Sequence, residues 1–284
     1  MASVQQVGQT LAVIELRAGD VTCSISPLDG GRVASLYVGT QQLLVERPPH
    51  ERKHADALEW GSYPMAPWAG RVRHGRFDFA GSAYSLPVNL APHAIHGTVF
   101  AEAWLAHEIT STSVRLSCDL GPHWPFGGTA HQYIELRSDR LICGLAIMAA
   151  DLAMPYVLGW HPWFVKPEVA RIRFETMYQR GDDGIPTGSL VAPTAGPWDD
   201  CFTDPVDPIE LLYRHHTGGA LVVTVLSDCT HWVVYDRPEH ATCIEPQSGP
   251  PDAFNMRPRF LEPHTLQPHE STRRAMVIRW RDQY

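Results

Sequence analysis

The sequence predicts an all-β protein built as one large antiparallel β-sandwich. Short runs with period-two alternation recur from end to end, turn residues separate them, and no apolar stripe of helical period lasts beyond about three turns. Self-similarity at a period of about 20 to 50 residues is absent, which argues against a propeller or solenoid. Composition does not shift as it would at a linker, so residues 1–284 are expected to form a single domain.

The elements follow in chain order. Residues 11–17 are rich in β-formers, Gly19-Asp20 turns the chain, and Val21–Ser26 alternates, which is a hairpin signal. Asp29-Gly30-Gly31 is a second turn and Val33–Val38 a further strand. Residues 46–57 carry charge and proline and read as an exposed loop. Trp60-Gly-Ser-Tyr-Pro-Met-Ala-Pro-Trp68 has aromatics and prolines without a period, so it is expected to be an irregular loop, either a pocket wall or a cap on the core. Arg76–Phe79 and Ala83–Leu86 flank Ala80-Gly81-Ser82 as a hairpin. Further strands are expected over 104–109, 113–120, 132–136, 141–148, 172–175, 221–226, 231–235 and 274–280.

Bulk properties exclude several function classes. A formal charge of −8 with no basic run argues against nucleic acid as a partner. Nothing approaches about 18 consecutive apolar residues, so no membrane span is expected; the best stretch, 141–157, is broken by Asp151 and Pro155. The N-terminus lacks the basic start and apolar block of a secretory signal. Cys23, Cys118, Cys143, Cys201, Cys229 and Cys243 are widely spaced with no CxxC pair, as expected for buried free thiols in a reducing cytoplasm.

The stretch richest in chemistry is Cys243-Ile-Glu-Pro-Gln-Ser-Gly-Pro-Pro-Asp-Ala-Phe-Asn255. It sets one carboxylate, Glu245, at the end of an apolar run, with a loop stiffened by prolines directly behind it. His93-Ala-Ile-His96-Gly97, Trp160-His161-Pro162-Trp163-Phe164 and His74 beside Arg71 offer imidazole partners. Pro162 and two tryptophans restrict His161, and aromatic neighbours suit the apolar face of a sugar ring. Gly97 lets the backbone turn closely beside His96. Arg71 can donate to hydroxyls in fixed geometry, and Asp199, between aromatics, can accept from one. Each of these also has an ordinary structural reading: a packed histidine, a surface arginine, a turn aspartate. Dinucleotide, Walker, G-x-S-x-G and H-E-x-x-H motifs are absent, so no cofactor is expected. His93 with His96, and the His215-His216 pair, lack a fixed third ligand, so no metal is expected either.

Taken in order, an arginine after a Pro-rich loop, His-x-x-His-Gly, His-Pro-aromatic-Phe, Asp-x-x-Phe and Glu-Pro with Pro-Asp-Ala-Phe-Asn resemble the aldose 1-epimerase (mutarotase) family over residues 64–255. The resemblance implies a β-sandwich of the galactose-mutarotase type and an acid–base interconversion of the anomers of a free aldohexose. By position it implies Glu245 as general base, His161 as general acid, and His96, Arg71 and Asp199 as residues that hold the sugar. It implies a monosaccharide substrate and a protein that works as a monomer or homodimer. This sequence departs from the family pattern at Gly70, where asparagine is frequent, at Trp163, where tyrosine is frequent, and at Asp200, where histidine is frequent; the preferred sugar is where these bear. Competing readings are a non-catalytic sugar-binding sandwich, an epimerase of phosphorylated sugars using Arg71, Arg73 and Arg76, and a glycosidase using Glu245 with Asp199.

Overall fold

Alternation in the sequence becomes alternation in burial. In Arg140–Met148, Leu141, Cys143, Leu145 and Ile147 point inward with almost no exposure, and Ile134 and Leu136 do so from the paired strand Thr129–Arg137. The computed structural model describes residues 11–47, 56–214, 219–256 and 264–283. Among these, two large sheets dominate, and every ladder between their strands is antiparallel. The eight-stranded sheet runs Leu105–His107, Ser113–Asp119, Thr129–Arg137, Arg140–Met148, Ser271–Gln283, Ala220–Ser227, Ile209–Arg214, Val169–Arg171. The eleven-stranded sheet runs Ile14–Ala18, Val21–Ser26, Arg32–Val38, Ser62–Met65, Gly159–Val165, Ala241–Gln247, His231–Tyr235, Asp199–Pro205, Phe174–Arg180, Pro186–Val191, with Gln41–Gln42 added beside Arg32–Val38. Side chains from both sheets join one continuous apolar core, which is the sandwich the alternation predicted.

The middle of the larger sheet differs from expectation. Ser62–Met65 is not loop but a central strand, with Tyr63 opposite His161 and Pro64 opposite Trp160. Proline is tolerated because pairing on the other side, to Arg32–Val38, is confined to Val33 with Ser62, so no ladder bond exists there for Pro64 to lose. Glu245 likewise lies inside a strand, Ala241–Gln247, rather than at the mouth of a loop. Pairing between that strand and Gly159–Val165 holds at Gly159 with Gln247 and resumes at Trp163 with Cys243. Pro162 and Pro246, which have no N–H to give, fall in the interval. His161 and Glu245 face each other across this gap.

The predicted strands in the N-terminal hairpin, 76–86, 113–148, 221–226, 231–235 and 274–280 are present, several of them longer than their sequence signal. The exposed loop expected over 46–57 falls largely outside the described residues, as does His215-His216. All six cysteines are unpaired and buried. No helix among the described residues is long and apolar enough to cross a membrane.

Candidate active site

Cross-strand register assembles the site. Tyr63 pairs with His161, and the flanking pairs set Glu245 opposite His161 and opposite Val233 on its other side. Strand residues two apart share a face, so Trp163 joins His161 and Gln247 joins Glu245. His161 Nε2 lies 3.2 Å from Glu245 Oε1, and Gln247 Nε2 donates to Glu245 Oε2 at 3.2 Å. The imidazole lies nearly parallel to the rings of Tyr63 (4.9 Å between centroids, 23° between planes) and Trp163 (5.3 Å, 14°).

The neighbouring strand contributes charge. Asp199 begins Asp199–Pro205, and continuing the register of Thr176 with Thr203 sets Arg180 opposite it. Arg180 pairs with the Asp199 carboxylate at 2.6 Å and Arg71 approaches it at 4.0 Å. Arg71, Tyr178, Arg180, Asp199, Asp200 and Pro251 line a small cleft at this edge. A larger groove beside Trp60, Trp68, Phe100 and His123 touches neither Glu245 nor His161.

His96 enters from outside the sheet. It adopts left-handed backbone (φ 63°), as does Gly97 (φ 83°), and a Cβ on Gly97 would lie 2.0 Å from the Ala66 carbonyl oxygen, so only glycine fits. Asn89 fixes the turn by accepting from Ile95 N–H and donating to Ile95 C=O. The His96 ring then meets His161 edge-on at 5.0 Å. Behind Glu245 the loop is tied down at each end. Ser248 accepts from Leu158 N–H through its hydroxyl and returns its own N–H to Leu158 C=O. Asp252 N–H donates to Arg71 C=O at 2.6 Å, and its carboxylate accepts from Arg73 N–H and Asn255 Nδ2. Pro251 packs so closely on Gly70 (φ 67°) that a Cβ there would sit 2.8 Å from it, which accounts for glycine before Arg71.

Burial governs the electrostatics of the pair. Glu245 and His161 do not keep the ionisation of free side chains. Burial, reinforced by Asp199, pushes the Glu245 carboxyl well above the ordinary carboxylate range; Arg71 and the Gln247 bond oppose this weakly. Burial pulls the His161 imidazole down to about 3, helped by the positive charges of Arg32 and Arg71. His96 is held well below its usual value by burial and then by His161 and Arg71. Burial therefore favours the neutral form of each group. His96 Nδ1, His161 Nδ1 and Gln247 Oε1 are buried here with no hydrogen-bond partner among the described residues. Such atoms are costly unless something supplies a hydrogen bond.

All five residues singled out from the sequence converge on this region: Glu245 and His161 in contact, His96 against His161, Arg71 and Asp199 at the rim. His74 and His93 do not join them. They pack against each other with centroids 5.4 Å apart and planes tilted by 42°, His93 Nδ1 accepting from His74 N–H and Nε2 beside Asp183 C=O. Among the described residues, no group of three or more His, Cys, Asp or Glu side chains is arranged to hold a metal. Sequence reasoning missed Gln247, Tyr63, Arg180 and Arg32. Gln247 was signalled by its spacing of two from Glu245 on a strand; Arg180 had no local signal. Arg32 is fully buried, donates to the carbonyls of Asp29, Ala57, Trp60 and Phe100, and lies over the Trp60 and Tyr63 rings at 4.2 and 5.0 Å.

This antiparallel sandwich has the galactose mutarotase-like fold. Solved structures share it. A galactose mutarotase-like protein from Clostridium acetobutylicum superposes with a TM-score of 0.82 at 19% identity, covering 95% of both chains. Galactose 1-epimerase from Lactobacillus acidophilus NCFM gives 0.76 at 14%, covering 96% of this chain and 95% of its own. The aldose 1-epimerase family profile matches residues 12–279, and the chain belongs to that family. In sequence it is 26% identical to the uncharacterized protein YihR of Escherichia coli K12, over 92% of this chain and 91% of that one.

Proposed function

We propose that the protein is an aldose 1-epimerase that interconverts the α and β anomers of a free aldohexose, working as one domain. The observation that carries this reading is the 3.2 Å contact of the buried His161 and Glu245 side chains, with the charges of Arg71 and Asp199 acting on Glu245. Glu245 as carboxylate takes the C1 hydroxyl proton. The C1–O5 bond breaks with its electron pair going to O5, which takes a proton from His161, and C1=O forms. Rotation about C1–C2 and the reverse transfers close the ring as the other anomer. Arg71 and His96 hold hydroxyls, and Asp199, oriented by Arg180, accepts from one.

The electrostatics suit this sequence of events. Ring opening converts carboxylate plus imidazolium into carboxyl plus imidazole, without changing the proton count on the pair. Burial favours the second arrangement. The pair is thus weighted toward the state it must reach with the open-chain aldehyde. General acid–base assistance of this kind contributes roughly 10²–10⁴-fold per group.

The rival readings fit less well. Arg71, Arg73 and Arg76 do not converge on one anion: Arg73 pairs with Asp183 and Asp252, whereas Arg71 faces Asp199. The Asp199 carboxylate that a glycosidase would need is already engaged by Arg180 at 2.6 Å. Polarimetry of freshly dissolved α-D-glucose, α-D-galactose, mannose and xylose, with and without protein, tests the proposal. Faster mutarotation of at least one sugar is expected; spontaneous rates for all at micromolar protein would end it.

A further inference from the structure

In the mechanism proposed above, Glu245 must meet the sugar as a carboxylate, and its surroundings divide over that form. Burial and the charge of Asp199 oppose it, while Arg71 and Gln247 favour it. Tyr63, Cys201 and Cys243 feel the Glu245 charge but add none near neutrality, because burial pushes each of them up. His161, in contact at Oε1, is pulled down by burial. Gln247 stands apart from these in how it is placed. Its side chain has no exposure, its Nε2 donates to Glu245 Oε2 at 3.2 Å, and its Oε1 is buried with no hydrogen-bond partner among the described residues. A buried amide with one end unmet is destabilising by itself, so the bond to Glu245 is the polar contact that accounts for it. His231, opposite Gln247 on one side, has its ring nitrogens engaged by Tyr178 and Thr230. On the other side Gln247 pairs with Gly159, where a Cβ would lie 2.7 Å from the Pro246 carbonyl oxygen and 3.1 Å from Gln247 Cγ, so glycine makes room for the amide. Two residues from Glu245 on the same strand, Gln247 reaches the oxygen that His161 leaves free.

We infer that Gln247 is a positioning residue for the base: its amide N–H holds Glu245 Oε2 while His161 meets Oε1, so that the carboxylate is gripped at both oxygens, its plane fixed and its ionised form favoured. The inference rests on the mutarotase reading above and deepens it at one residue. A neutral carboxyl can give its hydrogen bond to His161 without the amide, whereas a carboxylate only accepts and gains from an N–H on each oxygen. Loss of the amide N–H therefore weakens the ionised form selectively. Gln247 acts through Glu245 and not on the sugar.

The test follows Glu245 and Gln247 in the full-length protein. The variant is Gln247→Met, which keeps the length but has no N–H, with melting temperature checked against wild type. One measurement needs neither variant nor turnover. In wild type, a side-chain N–H proton of ¹⁵N-labelled Gln247 should move downfield with rising pH, at the same midpoint as the ¹³C shift of the Glu245 carboxyl. In Gln247→Met the carboxyl midpoint should lie at higher pH, a change that a residue acting only as filler would not produce. In mutarotation of the best sugar, kcat/KM of Gln247→Met should fall by roughly 3- to 10-fold on the acidic side of the profile and recover toward wild type as pH rises past the midpoint. A wild-type Gln247 N–H indifferent to the Glu245 titration overturns the inference, as does a carboxyl that stays protonated throughout in both proteins. A folded Gln247→Met protein with an unmoved carboxyl midpoint, or with an equal loss of kcat/KM at every pH, overturns it too. If wild type accelerates no sugar, the functional proposal fails, and the two NMR titrations still decide whether Gln247 holds Glu245.

Discussion

The two sheets obey the same geometry and use it differently. In the eight-stranded sheet, Ser113–Asp119, Thr129–Arg137 and Arg140–Met148 alternate between buried and more open positions along their length, and their mutual registers run unbroken. In the eleven-stranded sheet, Ala241–Gln247 is buried at every position and Gly159–Val165 at all but the last, because loops cover the outer face as the core covers the inner one. Polar side chains on that covered face cannot reach water. They must satisfy one another or wait for a ligand. The first sheet is scaffold; the second turns burial into shifted proton affinities.

The sharpest way to break this comparison is at the acid–base pair. Glu245→Gln and His161→Asn should each lower kcat by about 10²-fold or more, with smaller changes in KM. The double variant should lose less than the product of the two, since both groups serve one transition state. A folded Glu245→Gln protein with near-normal kcat, after subtraction of the solvent reaction, would remove Glu245 as base. The scaffold sheet should give the opposite pattern. Leu145→Ala, at a fully buried alternating position, should destabilise by about 2–5 kcal/mol in denaturant unfolding while leaving kcat of the folded fraction unchanged. Equal losses of stability and turnover there would show that the two sheets are not separable in this way.

Arg180 tests the rim. Removing its 2.6 Å bond to Asp199 by Arg180→Ala should raise KM by up to about tenfold and change kcat less. A loss confined to kcat would instead place Asp199 in the chemistry.

The smallest effect concerns pH and stability. His231, buried beside Tyr178, is pulled down to about 4 by burial, as His161 is to about 3. Both folded values lie below the unfolded value of roughly 6.5. Their contribution to stability is complete above about pH 6.5 and is lost as the pH falls toward those folded values, because the unfolded chain binds protons the folded one refuses. Glu245, shifted upward, works in the other sense: its contribution is full below the ordinary carboxylate range and is lost as pH rises through its folded value. The melting temperature should therefore decline between about pH 6.5 and 4, and His231→Gln should flatten that decline. An identical pH slope in the variant would mean His231 titrates normally.

The same contrast explains what could be read from the chain. Alternating strands such as 113–119 and 140–148 announce themselves, because one face meets water and the other does not. Ser62–Met65 and Gly159–Val165 have no alternation to display, and their prolines argue for loop by every local rule. Their strand character comes from neighbours about a hundred residues away, which no local window contains. Glu245, His161, His96, Arg71 and Asp199 stood out because their flanking prolines, glycines and aromatics form recognisable motifs. Arg180 did not, since its meaning lies wholly in a cross-strand partner. The shifted proton affinities of Glu245 and His161 have no signal in the sequence for the same reason: burial is a property of the assembled site.

Arg32 carries one more consequence. Its guanidinium gathers carbonyl oxygens from the turn at Asp29, from Ala57 and Trp60, and from Phe100, segments far apart in the chain. Proteins often bring such carbonyls together around a calcium ion, whose coordination sphere then depends on how much of the ion is available. Here the coordinating centre is covalently part of the chain. Although burial lowers its proton affinity to about 10, it stays charged at neutral pH. The loops beneath Tyr63 are thus organised by a cation that cannot dissociate, be chelated or be exchanged.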